Sequence, residues 1–152
     1  MLSRDHGHVV TIASAAGLIG TAGMADYCAS KFGAVGFDEA LRMDLRKMRK
    51  WGVKTTLVCP YFINTGMFSG VGNPTIFRFL LPILEPDYVA SMVIQAVRRN
   101  QALLYMPSMV YTVPLLRFLL PVSAFDFVVE FLGLSNTMDN FKQTRAVQKA
   151  EK

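Results

Sequence analysis

Gly7-His8-Val9-Val10-Thr11-Ile12-Ala13 is an uncharged run with four β-branched residues in succession. It reads as a buried strand. Downstream, small residues and glycines from Ser14 to Gly23 make a loop. A helix is expected from about Ala25 to Lys50. Its apolar positions Tyr27, Phe32, Val35, Phe37, Leu41, Leu45 and Met48 keep a helical period and are expected to form a core stripe. Arg42, Arg46, Lys47, Arg49 and Lys50 suit the negative pole of that helix, and Gly52 is its expected stop. Val53-Lys54-Thr55-Thr56-Leu57-Val58-Cys59 is a second strand, closed by Pro60. Strand, helix, strand in this order is a βαβ unit, so the sheet is parallel and the fold class α/β.

Further along, residues 61–86 read as an irregular segment. A second helix is expected from about Asp87 to Asn100, and a short strand, Ala102-Leu103-Leu104-Tyr105, before Pro107. Residues 1–107 are therefore expected to form the α/β unit. Residues 108–135 form an apolar, helical segment that lines a pocket or lies on a membrane interface, with Arg117 snorkelling towards water. Residues 136–152 are a polar, frayed tail.

Composition limits the partners. The 152 residues are 52% hydrophobic and carry a net charge of +5, with a mean hydropathy of +0.32 and a pI near 9.4. Such an apolar chain is expected to present part of its surface to a partner or a membrane. The positive charge suits an anionic membrane surface or a phosphate-bearing cofactor. Nucleic acid is disfavoured, because no Lys/Arg run is interleaved with aromatics. Cys28 and Cys59 are too few for a disulfide framework and read as buried, reduced thiols. His6 and His8 lack a third ligand and read as solvated, with no metal. No signal-peptide pattern is read at Met1–His6, and no apolar stretch is long enough to span a bilayer.

The chemistry centres on Tyr27-Cys28-Ala29-Ser30-Lys31. Four residues apart, the phenol and ammonium share one helical face. A nearby fixed positive charge favours a phenolate, which can take a proton from an alcohol or return it to a carbonyl. On spacing alone, the pair also fits a half-buried aromatic and a solvated charge. Ser14 lies thirteen positions earlier, just past the carboxyl end of the first strand. That edge is where open α/β sheets bind ligands, although a plain turn serine fits the same place.

Taken together, Val10-Thr11-Ile12-Ala13-Ser14-Ala15-Ala16-Gly17, Tyr27-Cys28-Ala29-Ser30-Lys31-Phe32-Gly33 and Val58-Cys59-Pro60 with Thr65 resemble the short-chain dehydrogenase/reductase family. Asp26–Phe32, Lys54–Tyr61, Asn64-Thr65-Gly66-Met67-Phe68 and Leu84–Tyr88 are similar to its retinol and 17-beta-hydroxysteroid dehydrogenase branch. The resemblance implies the carboxyl-terminal half of a Rossmann-like, doubly wound parallel sheet. It also implies an NAD- or NADP-dependent oxidoreductase interconverting an alcohol and a carbonyl on a lipophilic, retinol- or steroid-like substrate. Ser14 would orient the substrate oxygen, Tyr27 would be the acid/base, and Lys31 would favour the Tyr27 phenolate and bond the nicotinamide ribose. Pro60, Ile63 and Thr65 would lie at the nicotinamide carboxamide. A homodimer in the full-length form and a cytosol-facing place on the endoplasmic reticulum membrane or lipid droplets are implied too.

The family's opening strand, glycine-rich turn and helix have no counterpart here. Its Asn-Ala-Gly segment, its NAD-or-NADP selecting residue and its catalytic asparagine are missing as well. Gly17, Gly20 and Gly23 follow the serine and do not make that fingerprint. Met1 therefore reads as an internal methionine of a longer protein, and the strand Val9–Ala13 is expected to show an exposed apolar edge or face. The chain alone is expected to bind dinucleotide poorly. The alternative is a catalytically inactive, membrane-associated fragment that pairs with full-length subunits.

Overall fold

A computed structural model describes residues 1–65 and 81–132. Three strands, β1 (Gly7–Ile12), β2 (Val53–Pro60) and β3 (Leu103–Met106), form one parallel sheet in the order β1-β2-β3. The β1–β2 register runs from Gly7 opposite Val53 to Ile12 opposite Val58. The β2–β3 register runs from Leu57 opposite Leu103 to Pro60 opposite Met106. The crossovers carry α1 (Ala25–Lys47) and α2 (Pro86–Arg98). Residues alternate sides along a strand, and the central β2 shows it. Leu57 and Cys59 enter a cluster with Ala13, Leu18 and Val110 against α1, whereas Val58 joins Val89, Ala96, Leu104 and Met106 against α2. Burial on both faces explains why the second half of β2, Leu57-Val58-Cys59-Pro60, is apolar without alternation.

Both crossover helices end earlier than expected, for the same reason. Arg49 takes a left-handed φ of 54°, and the Lys50 N–H reaches back to the Leu45 carbonyl at 2.9 Å. Asn100, with φ 51°, does the same for α2, and the Gln101 N–H bonds to the Ala96 carbonyl at 2.9 Å. Each is a left-handed C-terminal cap that satisfies the last carbonyls. Gly52 is thus not the stop of α1. Its N–H donates to Asp5 Oδ1 at 3.1 Å, and a Cβ there would collide with the Asp5 carbonyl.

The stripe expected to be core on α1 is only partly so. Leu45 is buried, but Phe37 is 61% exposed and Met48 is exposed. The residue facing inward is Asp38, at 1% exposure; its neighbour Phe37 is rotated about 100° away on the helix. His8 also departs from a solvated reading: its Nε2 lies 2.7 Å from Thr56 Oγ1, which donates to the Gln101 carbonyl at 2.7 Å.

β1 has no strand on its outer side among the described residues. Val10 and Ile12 are exposed on it and no residue of β1 is buried, so the run is not the buried strand its composition suggested but the exposed apolar edge also expected.

After β3, a 3-10 turn (Ser108–Tyr111) leads into α3 (Thr112–Leu119) and α4 (Val122–Phe131). The Tyr111 hydroxyl donates to the Leu103 carbonyl at 3.1 Å and accepts from the Tyr105 N–H at 3.3 Å, tying this turn to β3. Arg117 does not snorkel outward. Its guanidinium donates to the Leu18 carbonyl at 3.2 Å and lies 5.3 Å from the Phe32 ring centroid. No helix among the described residues is long and apolar enough to cross a membrane. The expected tail 136–152 and the motif residues Gly66, Met67 and Phe68 lie outside the described residues.

Candidate active site

Ser14 lies two residues past the end of β1, in extended conformation, and caps the 3-10 turn Ala15–Gly17. Its Oγ accepts from the Ala16 N–H at 3.2 Å and makes a long, 3.5 Å contact to the Pro60 carbonyl at the end of β2. The hydroxyl is therefore held between two strand ends. Gly17 presses this turn onto α1: a Cβ there would stand 2.6 Å from the Lys31 carbonyl oxygen. Only a residue without a side chain permits that approach.

Tyr27 and Lys31 lie one turn apart near the start of α1. Lys31 Nζ stands 5.6 Å from the Tyr27 ring centroid and donates to the Ile12 carbonyl, the last of β1, at 3.3 Å. The ammonium thus sits between the phenol and the strand end. Beneath Ser14, burial pushes the Cys59 thiol up to about 12, against the Ser14 backbone hydrogen bond and the Lys31 ammonium, which lower it. Cys59 is a neutral packing group.

Past Pro60 the chain stays extended. The Tyr61 N–H bonds to the Met106 carbonyl at 2.7 Å, the Leu84 N–H to the Phe62 carbonyl at 2.9 Å and the Asn64 N–H to the Leu84 carbonyl at 2.8 Å. Ile63 forms a parallel bridge with Leu84. The Thr65 N–H bonds to the Ile63 carbonyl at 2.7 Å, leaving Thr65 exposed at the rim.

All six residues singled out in the sequence (Ser14, Tyr27, Lys31, Pro60, Ile63 and Thr65) line one cavity of about 330 Å³ at the carboxyl ends of β1 and β2. The rest of the wall is largely hydrocarbon: Ile12, Ile19, Met24, Phe62, Leu81, Val110 and Val113. Tyr61 also lines it, with burial pushing its phenol up to about 12, so it stays protonated at neutral pH. The distant Leu81, Val110 and Val113 carry no local signal, because as single hydrophobes they are indistinguishable from core. Phe62 had a signal in its place directly after the strand-closing Pro60 and Tyr61. A hydroxyl, a phenol and an ammonium around an apolar cavity are groups that hold an oxygen atom and exchange a proton with it.

The family model described as short chain dehydrogenase matches residues 1–74. Epidermal retinol dehydrogenase 2 of Mus musculus is 43% identical over 143 residues, covering 93% of this chain and 45% of that protein. Retinol dehydrogenase 10 of Homo sapiens is 44% identical over 141 residues, 93% of this chain and 41% of that protein. The chain spans less than half the length of these curated relatives. A short-chain dehydrogenase/reductase from Burkholderia phymatum, crystallised with NAD, superposes with a TM-score of 0.59 at 26% identity, over 78% of this chain and 50% of that one. With Ser14, Tyr27 and Lys31 on one cavity at the strand ends of a parallel sheet, these likenesses agree on one assignment: the chain belongs to the short-chain dehydrogenase/reductase family.

Proposed function

We propose that this chain supplies the acid/base half of an NAD(P)-dependent oxidoreductase site, interconverting an alcohol and a carbonyl on a lipophilic substrate of retinol or hydroxysteroid type. The observation that carries it is the convergence of Ser14, Tyr27 and Lys31 on a cavity of about 330 Å³ with a largely apolar wall. A hydrophobic wall with a few placed polar groups suits a substrate that is hydrocarbon except at its reacting oxygen. The named relatives, retinol dehydrogenases, support the substrate class.

The residues present fit the nicotinamide end of the dinucleotide. Lys31, Pro60, Ile63 and Thr65 border the cavity at the strand ends, where α/β sheets of this type bind such ligands. When bound, the nicotinamide supplies the hydride chemistry. This chain's own groups do the rest. Ser14 Oγ holds the substrate oxygen; Tyr27 takes its proton as the phenolate in the alcohol-to-carbonyl direction, and as the phenol gives it back in reverse. The Lys31 ammonium, fixed by the Ile12 carbonyl, places positive charge beside the phenol. Buried Met24 and Val110 keep water from the reacting oxygen.

The exposed apolar residues of α3 and α4 support a place at a membrane or lipid-droplet surface, from which lipophilic alcohol reaches the cavity. Phe118 is 87% exposed and Val122 77%, and Leu115, Leu119, Phe127 and Phe131 are exposed as well. On this reading residues 108–135 are an interfacial segment and residues 1–107 the catalytic α/β unit, which dimerises in the full-length form.

The test is retinol oxidation with NAD⁺ and with NADP⁺ by the native protein that carries this chain. Tyr27→Phe is expected to lower kcat by about 10²- to 10⁴-fold, with KM near its starting value. Undiminished turnover in that variant overturns the assignment.

A further inference from the structure

A second cavity lies at the opposite end of the sheet, where the last turns of α1 diverge from the starts of β2 and β3. It holds about 150 Å³ and is lined by Arg42 and Arg46 from α1, by Lys50 and Trp51 from the turn, and by Lys54 and Thr55 from β2, with no carboxylate in its wall. Thr55 to Pro60 is five strand steps, so this cavity lies about 17 Å along β2 from the catalytic one.

Two observations indicate a ligand rather than a solvated basic face. Thr55 is 6% exposed, and its Oγ1 is buried without a hydrogen-bond partner. On α1, the Nε of Arg42 is likewise buried and unpaired. An unpaired hydroxyl and an unpaired guanidinium N–H in the interior both cost stability, and both belong to residues of this cavity wall. The Arg42 N–H can only donate and the Thr55 hydroxyl can donate as well as accept, so one acceptor group satisfies both. Four cationic side chains in the same wall make it an anionic one. Asp5, which reaches the same end of the sheet, has its Oδ1 engaged by the Gly52 N–H.

We propose that this cavity is a binding site for a phosphate group, held by Thr55 Oγ1 and the Arg42 guanidinium at its floor and by Arg46, Lys50 and Lys54 at its mouth. A tetrahedral dianion offers enough acceptor oxygens for these donors, and guanidinium–phosphate pairs are among the strong charge-assisted bonds. The group could come from a free phosphate or from a phospholipid headgroup.

Trp51 is the chain's single tryptophan and lines the cavity, with the Arg46 guanidinium 5.9 Å from its ring, so its fluorescence reports on the site directly. The full chain is titrated with inorganic phosphate against chloride at matched ionic strength. A saturable change in Trp51 emission with phosphate alone is expected. Thr55→Val and Arg42→Gln should each weaken phosphate about tenfold, the loss of one good charge-assisted bond. Thr55→Val should leave the phosphate-free protein as stable as before or more so, since it removes an unpaired hydroxyl at constant shape. Arg46→Gln, at an exposed position, gives a second readout should Arg42→Gln fail to fold. Sedimentation with phosphatidic acid vesicles, against phosphatidylcholine vesicles, separates the sources. Extra binding to the former over the latter that phosphate competes away assigns a lipid headgroup, and no such excess beside a positive titration assigns free phosphate. A titration indistinguishable from chloride, or one that Thr55→Val and Arg46→Gln leave unchanged, overturns the site.

Discussion

Gly17 illustrates how a single residue sets the geometry of the candidate site. Its missing side chain lets the Ser14 turn lie on the Lys31 carbonyl, so the serine hydroxyl and the Tyr27–Lys31 pair keep a fixed separation. Gly17→Ala inserts a methyl group against backbone, which cannot swing aside as a flexible side chain would. The expected cost is about 1–3 kcal/mol, read as a lower urea midpoint, together with weakened activity wherever the parent is active. An unchanged midpoint would show that the turn is not held by this contact. The unspaced hydrophobes are a different case. Leu81, Val110 and Val113 reach the cavity from residues far along the chain, and nothing in their immediate sequence separates a cavity wall from a core.

At the scale of elements, α3 shows two neighbouring residues with opposite duties. Arg117 turns inward to the Leu18 carbonyl and the Phe32 ring, and so straps α3 to the loop behind Ser14. Phe118 stands 87% exposed beside it. Arg117→Ala removes a charge-assisted hydrogen bond and a cation–π contact, and is expected to cost about 1–3 kcal/mol. Amide exchange should quicken along α3. Phe118→Asp is expected to change stability by no more than about 0.5 kcal/mol and to weaken sedimentation with phosphatidylcholine vesicles several-fold. If Phe118→Asp unfolds the chain instead, that face packs against protein rather than lipid. The charge of Arg117 was legible in the sequence, but its direction was not. A helical register fixes the face only relative to neighbours whose positions the fold decides.

Across the whole molecule, the buried acids link stability to pH. Burial holds the Cys59 thiol at about 12 against an ordinary 9.0, and the Tyr61 phenol at about 12 against 10.0; burial raises Tyr105 as well. Both Cys59 and Tyr61 are neutral in folded and unfolded chains below pH 9, so their contribution is fully present there. Above that, the unfolded chain releases protons that the folded chain retains, and stability falls as pH rises towards 12. Between about pH 8 and about pH 10.5 the loss from Cys59 alone should be on the order of 2 kcal/mol. Urea titrations at the two values check it, with tyrosinate absorbance following Tyr61. A flat stability profile would mean that water reaches both groups.

By itself, the sequence determined the βαβ order, the parallel sheet and six residues of the cavity at the strand ends: Ser14, Tyr27, Lys31, Pro60, Ile63 and Thr65. Their signals are local: β-branched runs for β1 and β2, a 3.6 period for α1, and a Tyr–Lys pair whose spacing puts both groups on one helical face. The helix ends were decided by left-handed caps at Arg49 and Asn100, residues with less steric reason than glycine to adopt that conformation. Tertiary structure alone decided that Asp38 rather than Phe37 faces the sheet, that Arg117 points inward, and which hydrophobes wall the cavity. It also brought together Arg42, Lys54 and Thr55, which the sequence shows only as a basic helix end and a strand start. These outcomes depend on where separate elements pack against one another, and that is set by contacts between residues far apart in the chain.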